Sequence, residues 1–487
     1  MQSKGMEAIL SYLRSLNITF TERTVPYRRG EMKALYIKQI VDLTALPDQV
    51  LKPVVQYAAS TGKPLKAAQV MNDVIYAADC RLETDTKKIQ SHILEGMVVL
   101  LFSTDPQYVV VNIKKVEHRN VSEPEITYTV RGPRDCFVET LDVNLSLIRY
   151  RLKDPSLRVE MMEVGKRTKT SVAVIYMEDI ASNTVVTEIK KRIGGISIDS
   201  VWGTSELQHF LQNSKHNLFP LLGTTERSDW ACESIVEGRV VILADGGHIA
   251  LIAPHIFAES MYACDDRYDN KFFGLFSRIL RYMALYIVLC PSSQYIAIVS
   301  FHSYILPIQY TVLLSQLRQN VLFSPLIEVL LLELLVELIR EALMRVPSKI
   351  GTAIGVVGAI IIGQAATSAG VFSPLLLIIV SAELLASFAI PDYFAVHPFR
   401  ILKFLVILMT GSMGLFGFIL ALTVILISMF SLNSFGVPYM APFAPFDRYD
   451  YRRALMFSRA ASPYRQQYLR TKDGTRTDLY HENMEPK

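Results

Sequence analysis

A chain of 487 residues is longer than one hydrophobic core serves, so two or more domains are expected. Lys plus Arg (50) nearly balance Asp plus Glu (46), and the net charge of +4 leaves no electrostatic footprint for nucleic acid. The hydrophobic share of 51% and mean hydropathy of +0.27 are high for a water-soluble protein, and the excess is localised. Residues 1–270 have ordinary charge density, whereas 279–430 hold long apolar runs.

The first twenty residues, "MQSKGMEAILSYLRSLNITF", form a short amphipathic stretch with neither an apolar signal core nor a small-residue cleavage site, so the first half is expected in the cytoplasm. The segment "ALYIKQIVDLTALPDQVLKPV" (34–54) resembles "AVIYMEDIASNTVVTEIKKRI" (173–193), an apolar strand, a polar turn and a helix. Further on, "LEGMVVLLF" (94–102) is echoed by "VEGRVVILA" (236–244). Tyr36 falls on Tyr176 with an offset of 140 and Glu95 on Glu237 with an offset of 142. Each copy is expected to run strand, helix, connector and two strands, its Glu-Gly a turn into a strand. In the second copy Asp245-Gly246-Gly247 marks a hairpin; in the first, "STDPQ" (103–107) takes that place.

Between the copies, Phe137, Leu141, Leu145 and Ile148 recur at helical spacing and Asp154-Pro155 ends the pattern. Arg149, Arg151 and Lys153 then complement the negative end of that helix, and a second basic run, "GKRTKT" (165–170), is a solvated loop or a surface for an anionic partner. No zinc-protease, dinucleotide, P-loop or serine-hydrolase motif occurs, and no enzymatic activity is expected. His248 reads as an exposed hairpin residue. The five scattered cysteines, without a CxxC pair, read as small buried hydrophobes. No metal site or cofactor is expected.

A membrane-spanning helix needs about 20 mostly apolar residues. Residues 282–303 (interrupted at Pro291), 350–370, 371–390 and 401–430 meet that requirement. Residues 324–346 differ: Glu333, Glu337, Arg340 and Glu341 share one side of a leucine-rich helix, expected to face water or protein rather than lipid. Lys271, Arg278 and Arg281 precede the first span and Arg448, Arg452, Arg453 and Arg459 follow the last, which predicts both ends in the cytoplasm and an even number of crossings. Four spans plus the Glu-rich helix satisfy this; five spans would place the basic tail outside. The fold class expected is therefore a cytoplasmic region of two similar, duplicated α/β units followed by an α-helical polytopic membrane domain. The boundaries are 1–120, a helical connector 121–165, 166–270, the membrane domain 271–445 and a basic cytoplasmic tail 446–487.

Seven segments in order, "RGPRDCFVETLDVNLSLIRYRLKDP", "GKRTKTSVAVIYMEDIA", "TTERSDW", "EGRVVILADG", "FSRILRYMALYI", "IGQAATSAGVFSPLLLIIV" and "SFGVPYMAPFAP", make the chain resemble the A subunits of GerA-type spore germinant receptors of endospore-forming bacteria. The family's usual proline after Thr-Glu-Arg is here Ser228, and its small-Pro pair after Asp-Gly is Gly247-His248. The resemblance implies a protein of the spore inner membrane working with a multi-pass B subunit, which recognises small germinants, and a lipoprotein C subunit. It also implies assembly into a ring of identical subunits and a ligand-gated ion channel; a scaffold or signal-amplifying relative of the receptor is the alternative.

The span 350–370 suits a pore. Taking Gln364 as centre, helical periodicity places Val357, Ile360, Ile361, Thr367 and Ser368 near one side, a face that mixes apolar and hydroxyl groups. Gly351, Gly355, Gly358 and Gly363 are the competing helix-packing set. No inverted repeat, the mark of many transporters, is visible among the spans.

Overall fold

The structure, a computed structural model, describes residues 3–15, 20–27, 30–61, 64–77, 79–113, 132–212, 217–267, 271–346, 363–365, 367–451 and 464–475. The chain divides into an α/β unit (Met1–Lys215, Leu222–His255 and Pro463–Lys487) and a helical unit (His216–Leu221 and Ile256–Ser462).

In the α/β unit the chain runs α1 (Ser3–Ser15), β1 (Thr21–Tyr27), β2 (Gly30–Tyr36), α2 (Lys52–Thr61), α3 (Ala67–Asp73), β3 (Cys80–Glu83), α4 (Ile89–Leu94), β4 (Val98–Phe102) and β5 (Asp105–Val111). After α5 (Leu141–Arg151) come β6 (Leu157–Val164), β7 (Thr170–Met177), α6 (Asn183–Gly194), α7 (Thr204–Leu211), β8 (Gly223–Thr225), α8 (Ser228–Val236), β9 (Val240–Ala244) and β10 (Ala250–Ala253). The two antiparallel sheets have orders β1-β2-β4-β5-β3 and β6-β7-β9-β10-β8, the same topology twice. Strand β7 begins 140 residues after β2 and β9 begins 142 after β4, the offsets read from the sequence.

The apolar runs follow from burial on both faces. In the first sheet, Ala34, Val98, Leu100 and Val109 pack with Val54 and Val70 of α2 and α3. On the opposite face, Leu35, Val99, Leu101 and Val110 pack with Leu10 and Leu13 of α1 and Ile89 and Ile93 of α4. A central strand covered by helices on both sides cannot alternate polar and apolar residues, which is why β4 and β9 read as unbroken runs. In the second sheet α5 and α8 cover the face carrying Ala173, Ile175, Val241 and Leu243.

Each Glu-Gly pair ends a helix. Glu95 closes α4 and Glu237 closes α8, and Gly96 (φ +86°) and Gly238 (φ +96°) turn the chain into the central strand from the left-handed region that favours glycine. Asp245-Gly246-Gly247 joins β9 and β10 as an antiparallel hairpin, with Gly246 at φ +79°. The pattern of strand, helix and two strands omits two strands per copy: β1 and β3 in the first sheet, β6 and β8 in the second. These are the edge strands, short or half-exposed, and they lack the continuous hydrophobicity of buried ones. Pro26 in β1 is tolerated because that strand lies at the edge. The expected connector helix also begins later than read: Phe137 precedes α5 and joins its core with Leu141, Leu145 and Ile148.

The C-terminal segment returns to this unit. Arg239 Nη2 donates to Gln466 Oε1 at 2.9 Å, Arg465 Nε to the Val236 carbonyl at 3.2 Å, and Lys472 N to the Ile180 carbonyl at 2.9 Å.

The helical unit contains α9 (Phe257–Ser260), α10 (Lys271–Leu289), α11 (Pro291–Ile296), α12 (Ile308–Arg318), α13 (Pro325–Arg345), α14 (Pro374–Ala389), α15 (Tyr393–Ser431) and a small hairpin of β11 (Asn433–Ser434) and β12 (Val437–Pro438). Among the described residues two helices, Phe272–Leu289 and Tyr393–Ser431, are long and apolar enough to cross a membrane, against the four spans expected; α14 is apolar but shorter. The reasons are local. The expected span 282–303 is split, because Pro291 lacks an N–H and starts a new helix after α10. The segment 371–390 is trimmed to α14 by the Gly370 turn (φ +70°) and by Ser373, whose hydroxyl caps the Leu376 amide. Most of 350–370 lies outside the described residues. The last helix is longer than read, capped by Asp392 on the Phe394 and Ala395 amides, and is interrupted at Gly414 (φ +60°).

A methyl group at residue 238 would meet Thr471 Cγ2 at 2.5 Å and Ile180 Cγ2 at 3.0 Å. Gly238→Ala is therefore expected to destabilise the full chain by about 1–3 kcal/mol, measured as a shift in denaturant midpoint at unchanged slope.

Candidate functional site

The most concentrated chemistry among the described residues is a set of buried ions in the helical unit. Lys403 projects from α15 into its core, where its Nζ lies 2.5 Å from Glu333 Oε2 of α13 and 3.3 Å from Glu383 Oε2 of α14. Glu333, Glu383 and Lys403 are 0%, 2% and 5% exposed. Ser292 closes the cluster: its N–H donates to Glu383 Oε1 at 2.6 Å and its hydroxyl to Glu333 Oε1 at 3.0 Å. That amide is free to do so because Pro291 opens α11, and the first N–H groups of a helix have no intrahelical acceptor.

A second group lies toward the start of α13. Glu328 pairs closely with Arg318, and its Oε1 accepts from the Ser373 amide at 2.7 Å. Arg318 also donates to Tyr295 Oη at 2.5 Å and to the Phe323 carbonyl at 3.1 Å, while Tyr295 Oη lies 3.1 Å from Ser373 Oγ. Glu328 stands in the first turn of α13, where the helix dipole favours a carboxylate. A third group is half-buried: Glu337 pairs with Arg400 of α15 and lies 3.8 Å from Arg340.

The acidic residues singled out from the sequence are thus separated by burial. Glu333 is interior, Glu337 half-buried against Arg400, and Glu341 exposed beside Arg345 at 2.7 Å. Of the expected pore face, Val357, Ile360 and Ile361 lie outside the described residues, as do Gly351, Gly355 and Gly358 of the packing set. Gln364 and Ser368 are exposed, and Thr367 donates its hydroxyl to the Gly363 and Gln364 carbonyls at 3.0 Å each. A Cβ added at Gly363 would meet nothing within 4 Å. Sequence reasoning missed Ser292, Arg318, Glu328, Glu383, Arg400 and Lys403. The available signal was single charges set in apolar runs, Glu383 in "IIVSAELLASF" and Lys403 in "ILKFLVIL", which seldom stand unpaired.

In the α/β unit two of the segments on which the resemblance rests meet. Asp135 takes two bonds from Arg151 Nη2, at 2.5 and 2.6 Å. Ser228 Oγ donates to Asp135 Oδ2 at 2.6 Å and accepts from Arg151 Nε at 3.0 Å. Phe137 N donates to the Glu226 carbonyl at 2.7 Å. Burial alone would raise the Asp135 carboxyl, but the hydrogen bonds from Arg151 and Ser228 outweigh it and hold the group below its ordinary value. Arg151 therefore does more than complement a helix dipole. Ser228 opens α8, a position where proline is common, although here its amide also donates to the Asp135 carbonyl at 3.4 Å. Cys136 and Cys232 are pushed up to about 12, chiefly by burial, which makes them inert thiols.

The family model described as Bacillus/Clostridium GerA spore germination protein matches residues 7–468. The chain belongs to the GerA family, the A subunits of spore germinant receptors. It is 32% identical to spore germination protein KA of Bacillus subtilis over 424 residues, 87% of this chain and 78% of that one. It is also 32% identical to the uncharacterized membrane protein YfkQ of Bacillus subtilis over 414 residues, 85% of this chain and 80% of that one. The crystal structure of the N-terminal domain of the A subunit of the Bacillus megaterium spore germinant receptor GerK3 aligns at 24% identity and TM-score 0.39, covering 51% of this chain and 94% of that one. Here the hydroxyl of Ser228 supplies bonds that a proline could not.

Three outcomes follow from these contacts. Ser228→Ala keeps the helix start and the amide but loses the hydroxyl, and should cost about 0.5–1.5 kcal/mol in thermal unfolding. Asp135, with a lowered folded value, stabilises above the ordinary carboxylate range and ceases to do so as pH falls through that lowered value, so Asp135→Asn should flatten acid unfolding below about pH 4. Arg318→Met, which leaves Glu328 buried and unpaired, should cost about 3–5 kcal/mol, whereas the exposed Glu341→Gln should stay within about 0.5 kcal/mol.

Proposed function

We propose that the chain is a non-enzymatic subunit of a spore germinant receptor. It oligomerises in the spore inner membrane with a multi-pass B subunit and a lipoprotein C subunit, and gates ion release in response to small nutrients. Membership of the GerA family supports the receptor role. The observation that carries the membrane arrangement is the return of the C-terminal segment: residues 464–475 pack into the same α/β unit as the N-terminal sheets. A helical unit inserted between two parts of one folded body leaves and re-enters on one side, so it crosses the membrane an even number of times. The basic residues at both ends favour the cytoplasm as that side. The two long apolar helices are of a length and composition that suits one such pair of crossings.

The ion pathway is assigned to the 350–370 segment, with Val357, Ile360, Ile361, Gln364, Thr367 and Ser368 on its wet face. The exposure of Gln364 and Ser368 within one chain supports this, since an amide facing hydrocarbon lacks a partner and a pore supplies water. The buried ions would hold α13, α14 and α15 together.

The test is ion flux through liposomes containing the full chain together with its B and C subunits. Ile361→Ser should raise resting leak without germinant, and Thr367→Trp should abolish flux while the oligomer remains intact. A complex that assembles yet passes no ions with germinant would reject the channel in favour of a membrane-anchored scaffold or signal amplifier.

A further inference from the structure

The Glu333–Glu383–Lys403 cluster carries two carboxylates for one ammonium. Among the described residues, Lys403 is the cation within 4.0 Å of Glu333 and Glu383. The other charges on the packed elements are committed elsewhere: Arg318 of α12 to Glu328, and Arg340 of α13 and Arg400 of α15 to Glu337. That third group, with side chains 14–21% exposed, is less enclosed than Glu333 and Glu383, whose side chains are 0% and 1% exposed. Arg278 and Arg281 of α10 pair with Asp266, and Arg345 of α13 with Glu341; the same elements also carry Lys271, Tyr282 and Tyr286 on α10, Cys290 just after it, Tyr295 on α11, Tyr310 on α12, and Tyr393 and His397 on α15. The polar surroundings donate to both carboxylates: Ser292 gives its amide to one and its hydroxyl to the other, so the two acids share one helix break. The next hydroxyl in that break, Ser293 Oγ, is fully buried and has no partner among the described residues.

We infer that this cluster is a binding site for one hydrogen ion, held between Glu333 and Glu383 and opposite Lys403. Two like charges confined in a water-poor interior around a single countercharge leave one negative charge over, and a proton neutralises it in the least space. Binding is a simple association: a proton from solvent joins a carboxylate oxygen, and the cluster passes from −1 to neutral. Because α13, α14, α15 and the break before α11 all contribute, the occupancy of the site links proton concentration to how tightly these helices are clamped. This inference does not depend on the channel reading.

Infrared spectroscopy of the purified full chain in lipid nanodiscs, with ¹³C-labelled glutamate, reads the protonated carboxyl stretch directly. The wild type should show that band near neutral pH and lose it as the pH is raised. Glu333→Gln and Glu383→Gln should each abolish it, since one carboxylate then faces one ammonium, while the surface control Glu341→Gln leaves it unchanged. Lys403→Met should strengthen the band about twofold, because both acids must then be neutral. Replacing sodium and potassium by N-methylglucamine should change nothing. Absence of the band in the wild type overturns the inference without any variant having to fold. A band that survives both glutamine substitutions, or one that emerges only after the metal cations are removed, overturns it as well.

Discussion

One ammonium group, Lys403, organises the helical unit. Leaving a lysine charge in a packed interior is so unfavourable that its Nζ must find anions, and the anions available lie on two other helices, at Glu333 and Glu383. Meeting them fixes the mutual position of α13, α14 and α15. The acids in turn require donors for their remaining lone pairs, and the break at Pro291 supplies the Ser292 amide and hydroxyl. What reads as a defect in a long apolar helix is thus the piece that completes the cluster. The Arg318–Glu328–Ser373 group repeats the same logic nearer the start of α13. Such pairs contribute less to net stability than to uniqueness, since an apolar repacking would hold helices together without choosing this arrangement.

The α/β unit is governed by a different constraint, the burial of its central strands on both faces. It forces unbroken apolar runs and helices on either side, and it places a left-handed glycine wherever a helix must turn into such a strand. Gly96 and Gly238 are the two instances, and their equivalence reflects the shared topology of the two sheets. Beside the second sheet, the Asp135–Arg151–Ser228 bridge joins the segment before α5 to the start of α8.

How much of this the sequence disclosed depended on the range of the interaction. Buried central strands and their offsets of 140 and 142 residues were legible because hydrophobicity is recorded locally, residue by residue. The edge strands β1, β3, β6 and β8 were not, since partial exposure leaves no distinctive run. The acids of α13 were visible as a stripe, but their partners were not: Lys403 lies 70 residues from Glu333, and helical periodicity says nothing about which charge on another helix will meet it. Periodicity also assigned Glu341 to the same face, although the structure leaves it exposed with Arg345. Ser228 stood out as a departure from a family pattern, and its purpose became evident only when folding brought Asp135 beside it.

The central role of Lys403 is most directly tested by a double-mutant cycle of Lys403→Met with Glu333→Gln, followed by thermal unfolding of the full chain in lipid nanodiscs. If the ammonium and its acids form one buried unit, Lys403→Met alone should be more destabilising than the pair of changes together, because it leaves two buried acids without their cation where the double variant leaves one. Losses that simply add would show that the two groups act independently and would contradict the claim that this contact organises the helices.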